Sequence, residues 1–203
     1  MNIYNNTEKI SSVIILAAGL SGRIGMPKLF LKWHNNKTFI EKIISEYLCC
    51  NISEIVVVVN KEGLNRIKKD FAYIENSATI VLNLEPEKGR FSSIIRGLAV
   101  INLNSCFIHN VDNPFVNKTL VSEMNSLIKP DSFVVPVYKG KGGHPVLLGK
   151  DIVKYILSQT HEDRALNDVL KNFNRIEYKT RDSNILVNIN TMDDYERLIT
   201  TND

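Results

Sequence analysis

Short runs of branched aliphatic residues recur along this chain, and each is followed by a stretch whose apolar residues fall at helical spacing. Few architectures accommodate that alternation. Residues 12–17 form an apolar run that leads through Ala18 to a glycine, Gly19, the pattern of a strand buried on both faces. Thr38-Phe39-Ile40-Glu41 reads as a capping box, and Ile40, Ile43, Ile44, Tyr47 and Leu48 follow along one helical face. Residues 55–59 predict a second buried strand, 64–70 a polar helix, 78–82 a third strand and 92–100 a helix. A strand over 105–109 and a helix over 117–128 continue the series. Such alternation implies βαβ units with right-handed crossovers. The expected fold is α/β: three layers, α/β/α, around a Rossmann-like, mostly parallel sheet.

The second half is less regular. Strands are expected over 132–137 and 144–148, with Lys139-Gly140-Lys141-Gly142-Gly143 between them as a flexible basic loop. Helices over 151–158 and 164–171 precede strands near Ile176 and over 185–189, and Thr191-Met192-Asp193-Asp194 caps a last helix. No linker, repeat or low-complexity tract interrupts residues 1–203, so a single domain is expected.

Composition excludes several functions. The 25 Lys+Arg against 22 Asp+Glu leave a net charge of +3, too balanced for a nucleic-acid surface or an anionic membrane. With 44% hydrophobic and 23% charged residues, the composition argues against disorder, collagen and a disulfide scaffold. Apolar runs fall far short of the roughly 18 residues that a membrane span needs. The first seven residues lack the basic and apolar regions of a signal peptide. Cys49, Cys50 and Cys106 suggest neither a metal cluster nor a bridge framework. A reduced, cytoplasmic setting is expected.

Open α/β sheets bind ligands beyond the carboxyl ends of their strands, which directs attention to two segments. The string from Leu16 to Lys28 carries glycines at 19, 22 and 25, where backbone N–H groups can approach an anion, and Arg23 and Lys28 to neutralise it. Its spacing is neither the dinucleotide fingerprint nor the P-loop. A phosphate-binding loop is expected, against the plainer alternative of a mobile surface loop. The second segment, Asn110-Val111-Asp112-Asn113-Pro114-Phe115, offers a carboxylate suited to Mg2+, which takes one or two carboxylates plus phosphates and water. A turn cap before Pro114 explains Asp112 as well.

Taken together, Leu16-Ala17-Ala18-Gly19-x-Ser21-x-Arg23-x-Gly25-x-Pro27-Lys28, Asp112-x-Pro114 and Gly143-His144-Pro145 resemble the GT-A-type nucleotidyltransferases. The likeness is greatest to the molybdenum cofactor cytidylyltransferase (MocA-like) family, and next to the molybdopterin-guanine dinucleotide synthases. It spans about residues 12–198. The first motif is specific to the superfamily, Gly-His-Pro marks the subfamily, and Asp-x-Pro alone is weak. The resemblance implies a GT-A-type fold with a nucleotide-binding half over about 12–116 and an acceptor-binding half over about 117–200. It implies transfer of CMP from CTP to the terminal phosphate of Mo-molybdopterin, releasing pyrophosphate and forming molybdopterin cytosine dinucleotide. That product serves molybdenum hydroxylases of the xanthine dehydrogenase type, so a recipient hydroxylase is an implied partner.

Residue roles follow from the same resemblance. Leu16, Ala17, Ala18 and Gly19, with Ser21, would hold base and ribose. Arg23 and Lys28 would hold the triphosphate, Lys28 nearest the α-phosphate, and Asp112 and Asn190 would hold Mg2+ or Mn2+. Asn83, Gly89, Ser92 and Ser93 would form a second base-contacting turn at a helix N-terminus. Gly143, His144, Pro145 and Arg164 would face the acceptor.

The sequence also departs from the family pattern. Gly22 and Ile24 replace the commoner Ser and Met, and Asn113 stands where Met is usual. Asn188-Ile189-Asn190-Thr191 replaces the Asp-Ile-Asp of the cytidylyl branch and lies nearer the guanylyl branch. Asn190 still offers Mg2+ a neutral carbonyl oxygen, or is a turn residue before Thr191. Ala18 stands where the guanylyl branch has glycine, and its methyl should favour a pyrimidine by about 1–3 kcal/mol. His109 is expected to be structural, His34 and His161 to lie at the surface, and His144 either to meet the acceptor or to pack a loop. Lys139 and Lys141 suit a lid over an anionic acceptor or a solvated loop. Two other functions stay open: a guanylyl or other NTP transferase acting on a different phosphorylated acceptor, and a non-catalytic cofactor-delivery protein. Arg23, Lys28 and Asp112 weigh against the last.

Overall fold

A computed structural model describes residues 11–20, 24–52, 54–102, 104–159 and 164–201. The first strand, β1 (Ser12–Ala17), is buried on both sides: Val13, Ile15 and Ala17 enter one core cluster, Ile14 and Leu16 another. Thr38 opens α1 (Phe39–Cys49) with the predicted capping box: Thr38 Oγ1 accepts from the Glu41 N–H, and the Glu41 carboxylate accepts from the Thr38 N–H at 2.7 Å. β2 (Ile55–Val59) repeats the two-sided burial. Then come α2 (Lys61–Asp70), capped by the Asn60 side chain, β3 (Thr79–Leu82), α3 (Arg90–Leu98), β4 (Cys106–Asn110) and α4 (Lys118–Leu127). The remainder comprises β5 (Ser132–Tyr138), β6 (Lys141–Gly142), β7 (Val146–Leu148), α5 (Lys150–Leu157), α6 (Leu166–Leu170), β8 (Asn174–Lys179) and α7 (Met192–Thr201).

Among the described residues, eight strands form one sheet. β3, β2, β1 and β4 lie side by side and parallel. β7 then runs antiparallel between β4 and β5. β5 carries β6 and β7 along one edge and parallel β8 along the other. Ile40, Ile43, Tyr47, Ile67, Leu120 and Met124 bring α1, α2 and α4 onto one face. Phe91, Ile94, Leu98, Ile152, Ile156 and Leu170 bring α3, α5 and α6 onto the other. The three-layer α/β/α sandwich with its mostly parallel sheet is therefore present. α3 lies close against β1 because Gly97 has no side chain; a Cβ there would come within 2.6 Å of Ile14 Cγ2.

Three expectations need correction. Residues 185–189 form no strand: Ser183–Leu186 is a 3-10 turn, opened by the Asp182 carboxylate accepting from the Asn184 N–H at 2.9 Å. The run is apolar enough for a strand, but both ladder edges of β5 are already occupied. The expected helix over 164–171 shortens to one turn, Leu166–Leu170. The basic loop over 139–143 is in part a hairpin: Tyr138 pairs with Lys141, and Lys139 (φ 48°) and Gly140 (φ 78°) make its two-residue turn. Among the described residues no helix is long and apolar enough to cross a membrane.

Candidate active site

Because β1 and β4 are parallel neighbours, the loops leaving their carboxyl ends open onto the same place. A cleft of about 360 Å3 lies there. After β1 it is lined by Leu16, Ala17, Ala18, Gly19 and Lys28, at the start of α3 by Pro86, Gly89 and Arg90, after β4 by Asn110, Val111 and Asp112, and from the C-terminal segment by Asn190.

Each wall has a local cause. Asn60 steadies the first turn: its Nδ2 donates to the Ala18 and Gly19 carbonyls at 3.3 and 3.4 Å, while its Oδ1 caps α2 through the Gly63 N–H at 2.9 Å. Lys28 opens a 3-10 turn, Lys28–Phe30, whose Leu29 and Phe30 are buried. A small separate core of Ile24, Leu31, Phe39 and Ile189, flanked by Trp33 and Tyr195, ties this turn to the C-terminal segment. That segment is pinned to the β4 loop by the Ile189 N–H, which donates to the Asp112 carbonyl at 2.9 Å. The Asp194 carboxylate accepts from the Asn190 and Thr191 N–H groups at 3.0 and 2.9 Å, and these bonds hold its carboxyl below the usual carboxylate range. Asn190 is thereby delivered to Asp112 across more than seventy residues of sequence.

Three side chains converge at that point. The Lys28 ammonium donates to Asn190 Oδ1 at 3.0 Å and lies 3.5 Å from Asp112 Oδ2. The Lys28 and Asp112 side chains are 16% and 15% exposed. Among the described residues, buried Asp112 Oδ1 has no hydrogen-bond partner, a costly state for a carboxylate oxygen unless a cation or donor joins it. An aspartate and an asparagine, both offering hard oxygen donors on the wall of one cleft, fit Mg2+ or Mn2+ completed by phosphates and water. Among the described residues no group of three or more His, Cys, Asp and Glu gathers to hold a metal without such help.

The second predicted turn has a different character from that expected. Asn83 is fully buried; its Nδ2 donates to Ser92 Oγ and Ser93 Oγ at 3.0 and 2.9 Å, and its Oδ1 accepts from the Glu85 N–H and Arg96 Nε. Ser92 Oγ donates to the Gly89 carbonyl at 2.9 Å. These three side chains brace the turn, and the cleft meets Pro86, Gly89 and Arg90 instead. Gly89, the residue before α3, has φ 92° and ψ −175°, a conformation reserved for glycine.

The residues expected to face the acceptor divide. Gly143 and His144 line a second cavity of about 580 Å3 with Phe133, Phe173, Lys171 and Arg175 among its other walls. Pro145 is buried, and Arg164 is exposed and lines neither space. Gly143 lies against the backbone of Ile185 with no room for a Cβ, and the His144 N–H donates to the Ile185 carbonyl at 2.9 Å. His144 Nε2 accepts from Asn110 Nδ2 at 2.9 Å, which connects the two cavities. Burial and the nearby Arg90 charge lower its pKa. His109 is fully buried. Its Nε2 donates to the Asn113 carbonyl at 2.7 Å and its Nδ1 accepts from the Tyr47 hydroxyl at 2.9 Å, and burial pushes its pKa down to about 4. His34 is half-buried beside Trp33. Ser21, Arg23 and His161 lie outside the described residues.

Sequence reasoning missed Asn60, Asn110 and Arg90. Arg90 left a trace: a cation at the first position of a helix opposes the helix dipole, so an arginine there invites a functional explanation.

Residues 13–179 match the family model described as the MobA-like NTP transferase domain. A molybdenum cofactor cytidylyltransferase from Escherichia coli (strain K12) is 25% identical, over 90% of this chain and 92% of that protein. A probable molybdenum cofactor guanylyltransferase from Natranaerobius thermophilus is 28% identical, over 94% and 95%. The crystal structure of Rv0371c from Mycobacterium tuberculosis H37Rv shares the fold, with a TM-score of 0.78 at 18% identity over 94% of this chain and 98% of that one. Its manganese complex gives a TM-score of 0.75 at 16% identity over 95% and 99%. With a match running through most of the chain, the protein belongs to the MobA-like NTP transferase domain family and is a nucleotidyltransferase.

Proposed function

We propose that the protein transfers CMP from CTP to the terminal phosphate of Mo-molybdopterin, releasing pyrophosphate and forming molybdopterin cytosine dinucleotide for a molybdenum hydroxylase. The observation that carries this reading is the meeting of Asp112, Asn190 and Lys28 in one cleft beneath the glycine turn of β1. The Escherichia coli relative named for the cytidylyl reaction supports the choice of acceptor and base.

The nucleophile is an acceptor phosphate oxygen, anionic at neutral pH, so no side chain need remove a proton. That oxygen bonds to the α-phosphorus as the α–β bridging P–O bond breaks, and pyrophosphate leaves with the electron pair. The backbone from Leu16 to Gly19, held by Asn60, seats the nucleoside. The Lys28 ammonium and Arg23 neutralise the triphosphate, and positioning with charge neutralisation supplies the acceleration. Bound through Asp112 and Asn190, Mg2+ or Mn2+ supplies Lewis-acid screening of the phosphates. Gly143 and His144 direct the acceptor from the second cavity, whose mixed aromatic and cationic walls suit a ring system bearing an anion.

One observation favours guanylyl transfer as a second reading. Ala18 is only 3% exposed and packs into the α3-side core, so its methyl has little reach into the cleft and its leverage against a purine is small. The test is a panel of CTP, GTP and ATP with Mg2+ and Mo-molybdopterin, following pyrophosphate release and identifying the product by mass spectrometry. Turnover with CTP alone is expected. GTP-only turnover transfers the reading to the guanylyl reaction, and tight CTP binding without turnover on any acceptor points to a delivery protein.

A further inference from the structure

The two side chains assigned above to a divalent cation are the same ones that the Lys28 ammonium approaches. Its Nζ is 3.0 Å from Asn190 Oδ1 and 3.5 Å from Asp112 Oδ2. We propose that Lys28 serves as an internal counter-ion for these ligands in the nucleotide-free protein, so that nucleotide binding moves the ammonium to the phosphates and opens the site to metal. The inference rests on the nucleotidyl-transfer reading and adds to it an order of binding and a coupling between the two ligands.

An ammonium and a divalent cation cannot both sit between Asp112 and Asn190 without like-charge repulsion, with the Lys28 and Asp112 side chains only 16% and 15% exposed. Lys28 also satisfies the pair incompletely, since among the described residues Asp112 Oδ1 stays buried and without a partner. The arrangement is therefore suited to exchange for a stronger cation. The backbone of Lys28 is fixed, because Leu29 and Phe30 beside it are 0% and 2% exposed. Its ammonium sits on a four-carbon stem, and three rotatable donors can follow an anion. A triphosphate seated on the Leu16–Gly19 turn offers those donors anionic oxygens in the same cleft. Nucleotide must then tighten metal binding by the same factor that metal tightens nucleotide binding.

The test is Mn2+ binding, followed by electron paramagnetic resonance and equilibrium dialysis, for the unaltered protein, Lys28→Met, Lys28→Arg and Asp112→Ala, first with Mn2+ alone and then with CTP or GTP and no acceptor. With Mn2+ alone, Lys28→Met should bind at least about tenfold more tightly than the unaltered protein, within the usual range of such couplings. Lys28→Arg should stay near the unaltered affinity, and Asp112→Ala should not bind. A folded Lys28→Met protein, judged by circular dichroism, that binds Mn2+ no more tightly than the parent overturns the counter-ion role. Failure of the underlying reading looks different: the unaltered protein would then bind neither nucleotide together with Mn2+.

Discussion

Asp112 and Asn190 bring one negative charge to the cleft where two carboxylates would bring two. Since ligand charge count sets the affinity of oxygen sites, Asn190→Asp should tighten Mn2+ binding by about tenfold, measurable by titration with nucleotide present. Removing a charge should act on turnover instead. Lys28→Ala or Asp112→Ala should each lower kcat by roughly 10²–10³-fold, as loss of one preorganised charge-stabilising group does. Near-parental turnover at saturating Mg2+ would refute the assignment of that residue. His109 belongs at this scale through its proton. Its folded pKa of about 4 lies below the unfolded value of 6.5, so the unfolded chain binds more protons between those limits. The stability this gives is full above pH 6.5 and is lost as pH falls towards 4, to a total of about 3 kcal/mol. Urea denaturation at pH 5 and 7 should show a smaller difference for His109→Gln than for the parent, because glutamine has no proton to gain.

Among the elements, those with one dominant physical cause were legible. β1 and β2 are apolar on both faces, and only a central strand tolerates that; Thr38 and Glu41 announce a helix start by their own chemistry. Residues 185–189 misled because apolar content states a wish for burial, and burial was available in a 3-10 turn once β5 had no free edge. In the site, Asp112 was visible as a carboxylate after a buried strand. Its pairing with Asn190 depends on the Ile189–Asp112 backbone bond, a long-range contact that no local pattern encodes. The bracing of Asn83, Ser92 and Ser93 was hidden for the same reason. The packing of α3 on β1 gives a test at this level. Gly97→Val should cost about 1–3 kcal/mol by overpacking against Ile14, read as a lower urea midpoint with little change in slope.

At the scale of the molecule, the sheet joins the two proposed halves through very little backbone. β7 contributes three residues, yet these bond to β4 on one side and to β5 on the other. A polypeptide stopping near residue 116 would leave one edge of β4 without a neighbour, an invitation to intermolecular strand pairing. Expressed alone, residues 1–116 should aggregate or elute as oligomers in size-exclusion chromatography; a soluble monomer that still bound CTP would show that they fold without the rest. On the proposed division, the reversed strand would make nucleotide capture and acceptor handling heritable as one unit, since parting the two halves means unzipping the same short seam.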